Sequence, residues 1–143
     1  MQVKIRRKAK TVWSKQDEKL VAFVLDFAMD KLGLWASGER LDVILRGAYA
    51  NGSYGDSIDL DSKVMIRISK KENWVKTLFH ELEHVRQYID DELELEQKSA
   101  AWKGEIYSSK DEDYWDSPWE VQARKVEEKL YKQFRKYILT LSA

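Results

Sequence analysis

Residues 74–89 read Trp74-Val75-Lys76-Thr77-Leu78-Phe79-His80-Glu81-Leu82-Glu83-His84-Val85-Arg86-Gln87-Tyr88-Ile89. Trp74, Leu78, Leu82, Val85 and Ile89 recur at helical spacing, so residues 71 to about 90 read as an amphipathic helix. His80 and His84 are the two histidines of the chain, four apart beside that stripe. At 3.6 residues per turn, positions i and i+4 differ by about 40° around the axis, so both imidazoles leave one face and can meet on one metal ion. Glu81 stands about 100° round from His80 and can reach a water beside the ion without becoming a ligand. Zinc brings such a water's pKa near 7, and the carboxylate then takes its proton and delivers it to a leaving group. One zinc ion per chain is the expectation.

The composition narrows the rest of the site. The 143 residues hold no cysteine, which excludes a disulfide scaffold, an iron–sulfur cluster, a Cys-ligated zinc ribbon and a thiol nucleophile. A catalytic zinc ordinarily takes three protein ligands and keeps one position open. With no further histidine, the third donor is expected to be a carboxylate, ahead of a tyrosine or an amide. Glu83 is on the same helix but points away from the histidines. The leading candidate is Glu120, in Asp116-Ser117-Pro118-Trp119-Glu120-Val121-Gln122-Ala123, which opens a last helix running to about residue 140. Ala123 is small enough to let that helix approach closely. Ser117 and Glu120 also have the spacing of a capping box, with Pro118 at the first helical position, in which Glu120 would only bond back to its own helix start. Asp111, Asp113 and Asp116 are substitutes for it.

Outward from the motif, the pattern predicts an α+β domain: helix, three strands, helix, loop, helix. Ser14 caps a helix over 14–33 with Asp17 and Glu18 in its first turn, Leu20, Phe23, Val24 and Phe27 as its stripe, and Gly33 as its stop. Strands are expected at 41–49, at about 57–60 and at Val64–Ile68. The turn residues from Asn51 to Asp56 join the first two of these as a hairpin. Residues 91–116 read as a helix fragment and an acidic loop. Residues 1–12 read as a basic, flexible segment of the single domain 1–143.

Charge is balanced overall, 25 Lys+Arg against 25 Asp+Glu, but unevenly placed. Residues 1–15 carry Lys4, Arg6, Arg7, Lys8, Lys10 and Lys15 with no acid, while the stretch 90–116 is acidic and the last third is basic again. Solvated faces account for most such runs. No apolar run approaches the roughly 20 residues that a bilayer needs, so no membrane partner is expected. The basic start has no apolar region behind it, so it is not a secretory signal, and a cytoplasmic location is expected. The six tryptophans read chiefly as packing, with Trp115 and Trp119 flanking the candidate ligand.

The His80-Glu81-Leu82-Glu83-His84-Val85-Arg86-Gln87 run resembles the gluzincin class of zinc metallopeptidases. So do Trp102-Lys103-Gly104, Tyr107 and Ser117-Pro118-Trp119-Glu120 with Ala123. It is similar in particular to the minimal single-domain minigluzincins and to SprT-like metallopeptidases, which phages often encode. The resemblance covers residues 60 to 128 and implies a zincin-like fold and peptide hydrolysis. It implies His80, His84 and Glu120 as zinc ligands and Glu81 as general base and then acid. A peptide or protein substrate would pair along an edge strand at Val64–Ile68. The resemblance does not fix the oxyanion helper, for which Tyr107 and Tyr114 are the first residues to test. Two departures stand out. SprT-like proteins use a third histidine, and thermolysin-type gluzincins carry an Asp four residues past the ligand Glu, where this chain has Arg124. The alternative reading is a non-catalytic zinc-binding module, associated through its basic ends with nucleic acid or with a protein partner.

Overall fold

The structure is a computed structural model that describes residues 1–47, 54–96, 99–108 and 116–142. Its first helix, α1 (Lys15–Leu32), starts and stops where the sequence signals do. Ser14 Oγ accepts from the Asp17 amide at 3.0 Å while Asp17 Oδ2 accepts from the Ser14 amide at 2.8 Å, a complete capping box. Gly33, at φ 69°, closes the helix in the left-handed conformation. The buried face differs from the expected stripe. Val21, Val24, Leu25, Ala28 and Met29 go inward, while Leu20 and Phe23 stay exposed. Phe23 and Phe27 instead stack on Tyr137 of the last helix, with centroids 6.1 and 5.3 Å away.

The fold is α+β, with four strands in the main sheet rather than three. These are β1 (Gln2–Arg7), β2 (Arg40–Arg46), β3 (Gly55–Asp59) and β4 (Val64–Ser69), in the order β1-β2-β4-β3. The basic start is therefore not a flexible segment. Gln2 to Arg7 pair in parallel with Arg40 to Leu45, and Val3 and Ile5 pack against the core. The expected hairpin between the strands at 41–49 and 57–60 is also corrected. β3 pairs antiparallel with β4, not with β2. Its turn is Leu60-Asp61-Ser62-Lys63, where the Leu60 amide donates to the Lys63 carbonyl at 2.9 Å and Asp61 takes φ 61°. Of the predicted turn cluster, residues 51–53 lie outside the described residues.

This pairing overturns the expectation that Val64–Ile68 is an edge. β4 is an interior strand, parallel to β2 on one side and antiparallel to β3 on the other. Its alternation of buried Val64, Ile66 and Ile68 shows which face meets the core and is the same for an edge and an interior strand. Among the described residues, the edge strands of this sheet are β1 and β3.

The motif helix is α2 (Trp74–Ile89), burying Leu78, Phe79, Leu82 and Val85 as its periodicity requires. Within 91–116, read as a helix fragment and loop, the described residues instead include a small antiparallel sheet, β5 (Leu93–Leu95), β6 (Ser99–Trp102) and β7 (Glu105–Ser108). These strands are three or four residues long, too short for alternation to register. The β6–β7 turn places both Lys103 and Gly104 at positive φ. The last helix, α3 (Pro118–Leu141), packs on α2 through Trp119, Ala123, Leu130 and Phe134. Among the described residues, no helix is long and apolar enough to cross a membrane.

Gly55 sets the approach of β3 to α2. A Cβ there would stand 2.8 Å from Thr77 Cγ2 and 3.0 Å from the Arg67 carbonyl oxygen. Gly55→Ala is expected to cost about 1–3 kcal/mol by overpacking. Denaturant unfolding measures it, and an unchanged midpoint would show that β3 can move away from α2 freely.

Candidate metal centre

Two helices meet at the motif. His80 and His84 lie one turn apart on α2, with ring centroids 4.9 Å apart. Glu120 lies in the first turn of α3. Its Oε2 is 2.8 Å from His80 Nε2 and its Oε1 is 3.1 Å from His84 Nε2. One ligand atom from each of the three residues falls within 4.8 Å of the others. Two imidazole nitrogens and a carboxylate oxygen form a donor set suited to zinc. The capping alternative for Glu120 is not what the structure adopts. Ser117 makes no side-chain cap at the start of α3, and the Glu120 carboxylate is turned onto the histidines.

The remaining ring nitrogens are held by partners that the sequence reading missed. His84 Nδ1 lies 2.8 Å from Gln87 Oε1. Gln87 Nε2 donates to the Trp119 carbonyl at 3.1 Å, so the amide oxygen is the atom facing His84. Nδ1 must then carry the proton, which leaves Nε2 as the ligand atom. His80 Nδ1 is fixed in the same way by Glu127 Oε1 at 2.9 Å. Both partners had a readable address. Gln87 is three residues past His84, and Glu127 is seven past Glu120, about two turns along the same face of α3. Glu127 also supplies an acidic partner for a ligand histidine, the role for which Arg124 is unsuited.

Glu83 is fully buried but faces elsewhere, accepting from Arg86 Nε at 2.6 Å and from Gln122 Nε2 at 2.8 Å. Asp116 is exposed, at the turn before α3. Asp111, Asp113, Tyr114 and Trp115 lie outside the described residues. Tyr107 donates its hydroxyl to Glu105 at 3.1 Å and sets its ring edge-on to Trp119, so it does not line the cleft at the histidines.

That cleft has a volume of about 120 Å³, room for a handful of waters. It is lined by Glu81, His84 and Glu120, by Gly55 to Ser57 of β3, and by Leu93, Leu95 and Trp119. Glu81 is nearly buried, and burial pushes its carboxyl above the usual range against the pull of His84 and His80. Tyr88, one turn past His84, also lines the cleft. Burial raises its phenol, so it stays a protonated donor at neutral pH.

Without a metal, the three donors share protons. Burial alone would lower the pKa of His80, but its hydrogen bonds to Glu120 and Glu127 outweigh that and raise it to about 10. His84 is raised too, against its burial, chiefly by Glu120. The folded-state pKa of His80 exceeds its unfolded value of 6.5. Its contribution to the metal-free fold is therefore complete below about pH 6.5 and is lost as pH rises through about 10.

No family model matches this chain, and neither does any curated protein or solved structure compared with it. The site is therefore argued from its own geometry.

Two outcomes follow for zinc. Binding at pH 7 should release at least one proton, that of His80, read from titration heats in buffers of different ionisation enthalpy. Proton release near zero would mean that the histidines do not ligate. Glu127→Gln and Gln87→Leu should each weaken zinc binding by about 10–100-fold, measured by competition with a chromogenic chelator.

Proposed function

We propose that this protein is a zincin-like, zinc-dependent peptidase of the gluzincin type. The observation that carries the reading is the convergence of His80, His84 and Glu120 within 4.8 Å, with Glu81 in the same cleft but outside the ligand set. Two imidazoles and one carboxylate leave coordination positions open toward the cleft, as a catalytic rather than a structural zinc requires. When bound, zinc would supply Lewis acidity, lowering the pKa of a water and polarising a carbonyl.

The chain's own residues do the rest. Glu81 accepts a proton from the attacking water and returns it to the departing amine. Its raised pKa matches it to both duties. Gln87 and Glu127 keep the protons of both histidines on Nδ1, so that each Nε2 faces the centre. Tyr88, buried and lining the cleft, is the residue that would steady a developing oxyanion. An extended peptide would add to the sheet at β3, because of the two edge strands β3 is the one whose residues 55–57 line the cleft. Leu93, Leu95 and Trp119 would receive apolar side chains of that peptide.

Purified protein should carry about one zinc per chain. Glu81→Gln should keep the metal and lower peptide hydrolysis by at least 100-fold, while Glu120→Ala should lose both. Peptide-library cleavage monitored by mass spectrometry reads the first effect, and elemental analysis the second. A Glu81→Gln protein as active as the parent would refute the peptidase reading. Full zinc occupancy without hydrolysis in the parent would leave the non-catalytic module in its place.

A further inference from the structure

A second chemically distinctive surface lies on the outer face of the main sheet. It shares no lining residue with the metal cleft. Leu41, Val43, Leu45, Val64, Ile66 and Ile68 turn inward and are buried, so the alternate positions form the other face. Register aligns Arg6, Ile44, Arg67 and Asp56 in one row across the sheet, and Lys4, Asp42, Met65 and Ile58 in the next. A groove of about 250 Å³ runs over these rows. Arg6, Arg7, Lys8, Arg46 and Arg67 line it above a floor of Ile44 and Met65, and no carboxylate is among the lining residues.

The two acids of this face serve as anchors beneath the cations. Asp42 is fully buried and takes Lys63 at 2.9 Å, Arg40 at 3.1 Å and Arg6 at 3.5 Å. Asp56 pairs with Arg67. Arg6 nevertheless keeps 48% of its side chain exposed. Among the described residues, Lys4, Arg6, Lys8, Arg46 and Arg67 thus share this face with two carboxylates, on a chain whose formal charge is zero. Positive charge is concentrated here.

Arginine presents a planar fork of donors that matches phosphate oxygens two at a time. An apolar floor between such cations accepts a sugar or the face of a base. The face offers a sheet surface rather than a protruding helix, which suits a splayed single strand better than the grooves of a duplex. Among the described residues no aromatic ring lines the groove, so contacts to phosphate would dominate and sequence preference would be weak. From this charge complementarity we propose that the outer sheet face is a docking surface for single-stranded nucleic acid, held through its phosphates. The proposal is independent of the metal centre and of its chemistry.

The test is fluorescence anisotropy of the full chain with a labelled oligothymidylate about 15 nucleotides long, between 50 and 200 mM salt. About four phosphate contacts predict a slope near −3 in log K against log salt, from roughly 0.7 per contact on a single strand. Arg6→Gln/Lys8→Gln/Arg46→Gln should weaken binding at least tenfold at 50 mM salt and flatten the slope by about two. Lys125→Gln/Lys129→Gln/Lys132→Gln, on the exposed basic face of α3, should bind as the parent does. Thermal unfolding checks that each variant folds. If the triple sheet variant does not, Arg6→Gln/Lys8→Gln replaces it, with a weakening of at least threefold expected. The proposal fails if the parent shows no saturable, salt-dependent binding, or if the α3 variant and not the sheet variant loses it. It also fails if polyglutamate or duplex DNA competes as well as the oligonucleotide. Retained binding in Glu81→Gln would separate this surface from the peptidase reading whichever way that reading falls.

Discussion

One carboxylate holds two helices in register. Glu120 enters from the first turn of α3, and each of its oxygens meets an imidazole of α2. It is 3% exposed, and a charge so buried is tolerated only with close, well-aimed partners. The two histidines supply them, and Ala123 fills the contact without forcing the helices apart. The hydrogen bond from Gln87 to the Trp119 carbonyl ties the same helix start a second time. Cleft lining, histidine orientation and helix packing therefore have a common origin, and none can be changed alone.

The same local signature had two outcomes in this chain, and the contrast shows what sequence can and cannot say. Ser14-Lys15-Gln16-Asp17 and Ser117-Pro118-Trp119-Glu120 both read as capping boxes. The first forms one, because the rivals for Asp17 are surface groups such as Lys70, which leave the Ser14 amide within reach. The second does not, because His80 and His84 compete for the Glu120 carboxylate from 40 and 36 residues away. The grouping of His80, His84 and Glu120 was legible because helical spacing and the scarcity of histidine and cysteine narrow the candidates. Gln87 and Glu127 were not, since their roles depend on the direction from which α3 approaches α2.

Strand pairing failed for a related reason. Residues 41–49, 57–60 and 64–68 were all visible as extended segments, but alternation carries no record of which neighbour a strand selects. The cluster from Asn51 to Asp56 is the stronger turn signal, yet the hairpin turn is Leu60-Asp61-Ser62-Lys63, one strand later. The basic start hid β1 similarly. Its two inward residues, Val3 and Ile5, are too few to outvote the cations between them. Those cations become intelligible only once the sheet stacks them against residues from β2 and β4.

The separation between the histidines and Glu120 also imposes an order on how the molecule comes into being. A growing chain exposes α2 well before α3 exists, because β5, β6 and β7 come between them. During that interval His80 and His84 lack the carboxylate that later binds both. The face of α2 that will carry Trp119, Ala123 and Phe134 is still open to water. The centre can be completed only after α3 has been made and has docked on α2. The most chemically demanding part of the protein is thus withheld until the rest of the scaffold is in place to receive it.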